Sequence, residues 1–442
     1  MAAPSPPNDP ATDPSVQELI AARPWLRYHA MDGLLLDGVP LAAIGRDVGT
    51  PVWVYSAATL RARYQALTNA MTDAGLDIHV HYAVKANDSR AVLALLAAEG
   101  AGADVVSGGE LLKARRADIA AARIVYSGVG KSAAELRLAL AEGVGQINVE
   151  SAEELAMLSS IASAAGGSVR VALRVNPDID AGTNDKITTG RATDKFGIAY
   201  DDAVALYAQA AALPGIEPVG LAMHIGSQIL GLGPYREAFG RIADLVHTLR
   251  QRDLRVETVD CGGGLGIPYR NEPAPSAAGL AAAMKQAFHN LDVRLAMEPG
   301  RWLVGPAGVL LASVVLVKQT APEPFVVLDA AMNDLVRPAM YDAWHGIVPV
   351  SATDAIGPCR PVTVVGPVCE SGDTFARSRS LPALAPDAIV AILDAGAYGA
   401  VMSSTYNARP MAAEVWVDEG RWSVIRDRQP IEALWERERL PA

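Results

Sequence analysis

The chain has 442 residues, of which half are apolar and 20% are charged, and its net charge is −11. This length exceeds that of one ordinary domain and predicts at least two domains with large apolar cores. The acidic balance and the lack of a dense Lys/Arg block argue against nucleic acid or an anionic membrane as a partner.

The N-terminal residues and the cysteines indicate a cytoplasmic protein. Residues 1–25 begin with a stretch rich in Pro, Ala, Ser and Asp that lacks the basic and apolar regions of a signal peptide, so we expect a disordered tail. The three cysteines, Cys261, Cys359 and Cys369, stand at no metal-like spacing. This pattern predicts a reducing compartment, no disulfide framework and no metal site. The longest apolar run, 308–317, is too short to span a bilayer.

Short apolar runs alternate with Ala- and Leu-rich helical stretches from residue 51 to residue 300. The predicted strands are 79–84, 103–106, 124–127, 147–150, 169–175, 221–225, 258–261 and 294–297. The predicted helices are 89–98, 109–117, 133–142, 152–164, 200–212, 235–252 and 277–290. Eight strands alternating with helices predict a parallel (β/α)8 barrel, an α/β fold.

The periodicity changes after Arg301. Strand-like runs follow with few helices between them, at 309–317, 325–328, 362–365, 389–393 and 414–417. Residues 301–442 are therefore predicted to form a second, β-rich domain, a sandwich or an open barrel. The strand-like stretch 33–54 precedes the first barrel strand, so we expect an N-terminal segment, 26–50, to join this β domain and make it discontinuous.

One lysine stands directly after the first predicted strand, in Tyr82-Ala83-Val84-Lys85-Ala86-Asn87. At the mouth of a parallel strand, a lysine whose pKa is lowered by its surroundings can form a Schiff base with an aldehyde cofactor. The alternative is a surface lysine at a strand end. Active sites of (β/α)8 barrels lie at the C-terminal ends of the strands, which is where Lys85 would lie.

Three other unusual groups follow later strands at the same end of the barrel. Gly262, Gly263 and Gly264 follow strand seven, where backbone N–H groups commonly bind a phosphate; the alternative is a tight turn, and neither a P-loop nor GxGxxG is present. Glu298 follows strand eight and would satisfy a protonated ring nitrogen, or else form a salt bridge with Arg301. His224 follows strand six and would stack on a flat cofactor, or else be a core imidazole.

These groups together describe a site for pyridoxal phosphate, which serves as an electron sink for carbanions at an amino acid Cα. Two further histidines, His79 and His81, alternate onto one strand face. No third ligand is spaced to complete a metal site with them, so we interpret both as structural.

The chain, from about residue 30 to residue 435, resembles the diaminopimelate decarboxylases, of the alanine-racemase-like class of pyridoxal phosphate enzymes. The motifs that carry the resemblance include the lysine motif above, Gly102-Ala103-Asp104-Val105-Val106-Ser107-Gly108-Gly109-Glu110, Lys195-Phe196-Gly197-Ile198, His224-Ile225-Gly226-Ser227-Gln228, Glu298-Pro299-Gly300-Arg301, Arg337-Pro338-Ala339-Met340-Tyr341, Val368-Cys369-Glu370-Ser371-Gly372-Asp373, Ala395-Gly396-Ala397-Tyr398-Gly399 and Tyr406-Asn407-Ala408-Arg409-Pro410. One departure is Thr405, where the family usually has Asn.

The resemblance implies roles for individual residues. Lys85 would carry the Schiff base, His224 would stack on the ring, and Glu298 would pair with the ring nitrogen. The phosphate would be held by Ser227, Gly263, Gly264 and the backbone of Gly300 and Arg301. The substrate would be bound by Arg301, Arg337, Tyr341 and Glu370, and Tyr398 would contact both cofactor and substrate. Cys369 would return a proton after CO2 leaves, from the second subunit of a homodimer with shared active sites.

From the residues alone, other interpretations of the β domain stay open. Without the resemblance, the residues favour an ordinary buried cysteine for Cys369, and Arg337 and Glu370 are compatible with an exposed ion pair.

The activity that the resemblance implies is decarboxylation of meso-2,6-diaminopimelate to L-lysine and CO2, the last step of lysine biosynthesis. A related ornithine or arginine decarboxylase is the first alternative, but its substrates have no distal carboxylate for Arg301 and Arg337. A racemase would need a second base facing Lys85. A paralogue in a specialised pathway stays open, and a non-catalytic pyridoxal phosphate-binding protein would not need the long β domain.

Overall fold

Eight parallel strands close into a barrel in the structure, a computed structural model that describes residues 13–184, 186, 189–191, 194–270 and 272–441. The strands are Ile78–Ala83, Gly102–Val105, Ile124–Tyr126, Gln146–Val149, Val169–Asn176, Ile216–Ala222, Thr258–Asp260 and Arg294–Met297. Each pairs with the next along the chain, and the eighth pairs with the first. The predicted (β/α)8 barrel is confirmed, since every predicted strand overlaps an observed one.

Helices surround this barrel. They are Ala57–Asp73, Arg90–Ala98, Gly108–Arg115, Ala133–Glu142, Ala152–Ala164, Ala203–Ala212, Gly233–Arg250 and Ala277–Phe288. The sequence did not predict the first of these. Helix Ala57–Asp73 packs between Ala277–Phe288 and Arg90–Ala98. The chain enters the β domain after strand eight, so that strand contributes no long helix to the ring. Helix Ala57–Asp73, which precedes strand one, takes this eighth position instead.

Serine side chains begin several of these helices at the points where the chain turns back from a strand. Ser132 accepts a hydrogen bond from the backbone N–H of Glu135, whose carboxylate in turn accepts from the backbone N–H of Ser132. Such reciprocal caps satisfy N–H groups that the helix itself leaves unpaired. They fix the length of the loops at the C-terminal end of the barrel.

A second domain is built around a nine-stranded, mostly antiparallel sheet. Its strands are Val52–Ser56, Gly308–Lys318, Phe325–Leu328, Ile347–Pro349, Cys359–Val365, Thr374–Pro382, Ile389–Ile392, Ala413–Asp418 and Arg421–Arg426. Short helices Arg301–Val304 and Arg337–Tyr341 lie at its border with the barrel. Strand Val52–Ser56 pairs with Gly308–Lys318 and with Ala413–Asp418, so the β domain is discontinuous in sequence. This differs from the expected start of the barrel at residue 51.

Strand Val52–Ser56 is buried on both of its faces, and alternate residues of a strand point to opposite faces. Val52 and Val54 pack into one apolar core. Trp53 and Tyr55 pack into another on the opposite face. Because both faces of the strand are buried, residues 52–55 are all apolar.

The N-terminal residues cover one of these faces. They form helix Val16–Ala21, a small sheet of Leu26–His29, Gly33–Leu36 and Val39–Pro40, and helix Leu41–Val48. Val16 and Leu19 are buried in the core of the β domain, and Arg23 donates from Nε to Asp394 Oδ2 at 2.8 Å. The expectation of a disordered tail is wrong for residues 13–25, because these apolar and ionic contacts fix them. Residues 1–12 of the predicted tail lie outside the described residues.

In the part of the chain that the structure describes, no helix has both the length and the apolar character needed to cross a membrane.

Candidate active site

A cavity of about 400 Å³ lies at the C-terminal end of the barrel strands. Its lining contains three of the four groups that the sequence singled out, Lys85, His224 and Glu298, but not the glycines after strand seven. Arg174 and Phe196 contribute as well, with the Arg174 guanidinium 5.1 Å from the centre of the Phe196 ring. The cavity therefore combines cations, a carboxylate and aromatic surface.

Lys85 stands in a short 3-10 turn, Val84–Ala86, that follows the first strand. Its Nζ donates a hydrogen bond to Oδ2 of Asp104 at 2.7 Å. Burial alone would lower the pKa of Lys85, but the negative charges of Asp104 and Glu298 outweigh it and raise that pKa above its usual value. The expectation that the surroundings lower the pKa of Lys85 is wrong for this structure, because carboxylates line this part of the barrel.

Glu298 is buried behind this lysine. Its Oε1 accepts hydrogen bonds from Ser127 Oγ at 3.3 Å and from Asn148 Nδ2 at 3.4 Å. Burial and the charges of Asp104 and Asp260 raise the pKa of Glu298 well above its usual value. The alternative of a salt bridge to Arg301 is wrong, since Glu298 bonds to neutral groups.

His224 is held as a neutral ring. Its Nδ1 accepts a hydrogen bond from the backbone N–H of Gly263 at 3.2 Å. Burial, together with the positive charges of Arg174 and Lys85, lowers the pKa of His224 well below its usual value. The same bond joins His224 to the glycine turn, so the ends of strands six and seven are fixed to each other.

The glycines after strand seven allow close backbone contacts. A Cβ on Gly263 would lie 2.1 Å from the carbonyl oxygen of Glu298, and one on Gly264, where φ is +93°, would lie 2.3 Å from that of Gly226. Any larger residue would displace these neighbours. Ser227 and Gly300 border the same turn; Ser227 Oγ accepts from Arg301 Nη2 at 3.1 Å.

Two buried arginines share a tyrosine beside the cavity. Arg301 Nη1 donates to the hydroxyl of Tyr269 at 2.9 Å, and the Arg337 guanidinium lies 4.8 Å from the centre of the Tyr269 ring. Arg337 also lies 2.6 Å from Nε2 of His345. The alternative of an exposed Arg337–Glu370 ion pair is therefore wrong, because Arg337 is buried against His345.

Neither guanidinium has a carboxylate within 4 Å among the described residues. Nε of Arg301 is buried and has no hydrogen-bond acceptor there either. Two buried cations that lack an anion are costly, so this pair favours a bound carboxylate.

Tyr398 joins Arg301 to the lysine turn, and Tyr341 lies on the helix that begins with Arg337. The Arg301 guanidinium lies 4.8 Å from the centre of the Tyr398 ring, and the backbone N–H of Tyr398 donates to the carbonyl of Ala86 at 2.7 Å. Tyr341 ends the short helix that Arg337 begins, and its carbonyl accepts from Asn184 Nδ2 at 3.4 Å. Residues of the barrel and of the β domain thus meet at one place.

Cys369 and Glu370 lie elsewhere in the same chain. They belong to the loop between strands Cys359–Val365 and Thr374–Pro382, and both are exposed. The backbone N–H of Cys369 donates to Asn407 Oδ1 at 3.1 Å. Neither residue is part of the lining of the cavity that contains Lys85. The interpretation of Cys369 as a buried cysteine is wrong, because its loop faces outward.

Sequence reasoning did not single out Asp104, Asp260, Arg174 or Asn148 as site residues. Asp104 and Asp260 occupy apolar strands, in Ala103-Asp104-Val105 and Val259-Asp260-Cys261, and a charged residue inside such a run is the signal that could have found them. Asn148 lies in the fourth strand and lacks even this signal, because its amide carries no charge.

The site fits pyridoxal phosphate on its own chemistry. Asp104 Oδ1 and Asp260 Oδ2 are buried and have no hydrogen-bond donor among the described residues, and the charges of both carboxyls raise the pKa of Glu298. A cationic ring nitrogen would offset this excess of negative charge. Lys85 offers an amine at the mouth of the same cavity, and the described residues hold no cluster of three potential metal ligands.

Known proteins resemble the chain over nearly all of its length. The family model "pyridoxal-dependent decarboxylase, pyridoxal binding domain" matches residues 57–305. The diaminopimelate decarboxylase of Zymomonas mobilis is 46% identical over 91% of this chain and 95% of that protein. The diaminopimelate decarboxylase of Pseudomonas aeruginosa is 45% identical over 92% of this chain and 97% of that protein.

A solved structure agrees with these sequences. Diaminopimelate decarboxylase from Helicobacter pylori, complexed with L-lysine, superposes with a TM-score of 0.86 at 37% identity, covering 89% of this chain and 98% of that chain.

Proposed function

The chain belongs to the diaminopimelate decarboxylase family of pyridoxal-dependent decarboxylases, and on this premise we propose how its residues carry out the reaction. The reaction is decarboxylation of meso-2,6-diaminopimelate to L-lysine and CO2, the last step of lysine biosynthesis. When bound, pyridoxal phosphate supplies an electron sink for the charge left at the substrate Cα after CO2 departs.

Lys85 would hold the cofactor through its side-chain amine. Asp104 Oδ2 orients Nζ of Lys85 through the 2.7 Å hydrogen bond. Glu298 would hold the ring nitrogen of the bound cofactor in its protonated form, since a buried carboxylate among other carboxylates gains most from a cationic partner. His224 would lie against the ring as a neutral imidazole, which adds no repulsion to a cationic ring. Ser227, Gly263, Gly264 and the backbone of Gly300 and Arg301 would hold the phosphate.

One observation carries the choice of substrate: the buried pair of Arg301 and Arg337 has no carboxylate partner among the described residues. A guanidinium binds a carboxylate through two parallel hydrogen bonds, and its planar shape makes this contact selective. Diaminopimelate retains a carboxylate at the end that does not react, whereas ornithine and arginine have none there. Tyr341 and Tyr398 border this pair and complete the substrate pocket.

The complete site is formed by a homodimer. Cys369 and Glu370 are exposed and lie outside the cavity of their own chain, which supports their reaching the active site of a second copy. There the thiol of Cys369 returns a proton to the substrate Cα, and Glu370 binds the distal amino group. We assign the protein to the cytoplasm, in accord with its three unpaired cysteines.

The test is incubation of the purified protein with pyridoxal phosphate and meso-2,6-diaminopimelate, with L-lysine and CO2 measured as products. We expect both products in equal amounts, and neither from the Lys85→Ala variant. Cofactor binding without lysine release would refute the proposed substrate.

A further inference from the structure

A second cavity lies at the opposite, N-terminal end of the barrel and has a volume of about 320 Å³. We call it the basal chamber, and its lining includes His79, His81, Gln146, Thr258, Asp260 and Ala296. The sequence singled out both histidines, and the reaction uses neither of them. The chamber is open to solvent at the base, where His79 is exposed.

The chamber exists because small and polar residues replace the usual filling. Val, Ile and Leu side chains normally pack the interior of a (β/α)8 barrel. Here Gly145 and Ala296 leave space, and Gln146 and Thr258 supply polar groups to it. A polar cavity of this size has room for several water molecules, each needing about 30 Å³.

Two contacts join the chamber to the active-site cavity. The strand register pairs Asp260 with Ala296, two residues before Glu298, so the buried carboxyl of Asp260, which lines the chamber, lies beside the buried carboxyl of Glu298, which lines the active-site cavity. Gln146 Nε2 donates to Asn148 Oδ1 at 2.8 Å, and these two residues line the chamber and the active-site cavity respectively. Two neighbouring buried carboxyls repel each other unless one of them carries a proton.

We propose that the basal chamber holds water and that the Asp260–Glu298 pair passes protons between this water and the active-site cavity. A proton that arrives from the chamber binds at Asp260, and Glu298 releases one proton toward the ring nitrogen. Bulk water at the base supplies the balancing proton, and the reverse transfer returns it there. Glu298 can therefore change its protonation state while the cofactor and substrate close the upper mouth.

The charges around the pair fit this role. On the active-site side, Glu298 and Asp260 face Lys85, Asp104 and Arg174. On the chamber side, the titratable and charged groups are His79, His81, Arg170 and Arg294, with Glu257 paired to both arginines. Burial keeps the pKa of His81 low, at about 4, so His81 is a neutral group beside the water. Arg170 and Arg294 are already paired with Glu257, so these two arginines are not available to bind an anion in the chamber.

The test measures hydrogen–deuterium exchange of the protonated carboxyl, by its infrared C=O band, after the holoenzyme is diluted into D2O. Loss of the band in Asp260→Asn and in Glu298→Gln assigns it to the pair. Ala296→Leu fills the chamber without removing either carboxyl, and Ala122→Phe narrows its rim from an exposed position. The matched control is Val129→Trp, which narrows the upper mouth instead.

We expect exchange to slow about tenfold or more in Ala296→Leu and in Ala122→Phe, and to keep the wild-type rate in Val129→Trp. The proposal is overturned if both basal variants exchange at the wild-type rate, if only the upper variant is slowed, or if the wild type shows no protonated-carboxyl band. The inference rests on the proposed function for the meeting of Glu298 with the cofactor. Exchange is measured without turnover, however, so its failure is distinguishable from a wrong substrate.

Discussion

Nζ of Lys85 and Oδ2 of Asp104 lie 2.7 Å apart at the ends of the first two barrel strands. The register of these strands pairs Ala83 with Asp104, so the carboxylate stands beside the turn that presents the lysine. Asp104 is fully buried, and its second oxygen has no hydrogen-bond donor in the part of the chain that the structure describes. The ion pair therefore holds the Lys85 amine in one place.

This pair leads to a prediction for Asp104→Asn. The substitution removes the charge that orients Lys85, so we expect kcat to fall about 10²-fold while the cofactor still binds covalently. Lys85→Ala should lose covalent attachment altogether. Borohydride reduction followed by peptide mass spectrometry measures the attachment, and Lys285→Ala, an exposed helical lysine, serves as the control. Cofactor still attached covalently in Lys85→Ala would contradict the assignment.

Arg337→Lys tests carboxylate recognition. A lysine keeps the positive charge but loses the planar fork and its contact with Tyr269, so we expect KM for diaminopimelate to rise about 10- to 100-fold with little change in kcat. The exposed Arg377 provides a matched control as Arg377→Lys. Steady-state kinetics measures both constants, and an unchanged KM in Arg337→Lys would exclude this residue from substrate binding.

Mixed dimers test the sharing of active sites. Lys85→Ala and Cys369→Ala should each be inactive alone, since each removes one essential group from every site. After the two variants are unfolded and refolded together, half of the dimers combine them, and one of their two sites is intact. We expect roughly a quarter of the wild-type activity to return. No recovery, with dimers confirmed by light scattering, would show that Cys369 acts within its own chain or not at all.

The buried Asp260 predicts a pH dependence of stability. Burial raises the pKa of Asp260 from 3.8 to about 6. The folded state therefore binds more protons than the unfolded state between these values, and its stability falls as the pH rises through this window. Asp260→Asn removes this loss, which amounts to at most about 3 kcal/mol. Denaturant unfolding of the cofactor-free protein measures it, with Asp201→Asn at the exposed surface as the control. Parallel pH profiles for wild type and Asp260→Asn would contradict the raised pKa.

The regular alternation of strands and helices could be predicted from the sequence. Contacts between residues that lie far apart in the sequence could not. Alternation of apolar runs and helices predicts the barrel, because each strand and helix buries a face of its own. The missing helix, Ala57–Asp73, has a weak apolar face and precedes the first strand, so no periodic rule demands it. The order of residues 13–25 likewise depends on a distant partner, as with Arg23 and Asp394.

The same distinction holds for the site. Lys85, His224 and Glu298 could be identified because the C-terminal ends of the barrel strands meet at one place. A polar residue at that end is seldom needed for packing and more often belongs to the active site. Asp260 and Asn148 act from inside the barrel, and the sequence does not show which strand residues point inward at which depth. The position of Cys369 outside its own cavity is a feature of tertiary structure, and only the resemblance pointed to a second subunit.

The measurement that tests the central claim most directly is kcat/KM for meso-2,6-diaminopimelate, L-ornithine and L-arginine on one preparation of holoenzyme. A buried arginine pair that binds a distal carboxylate should favour diaminopimelate by a factor of about 10³ or more, with L-lysine as its product. Comparable or faster turnover of ornithine or arginine would contradict this account, because it would mean that Arg301 and Arg337 bind no substrate carboxylate.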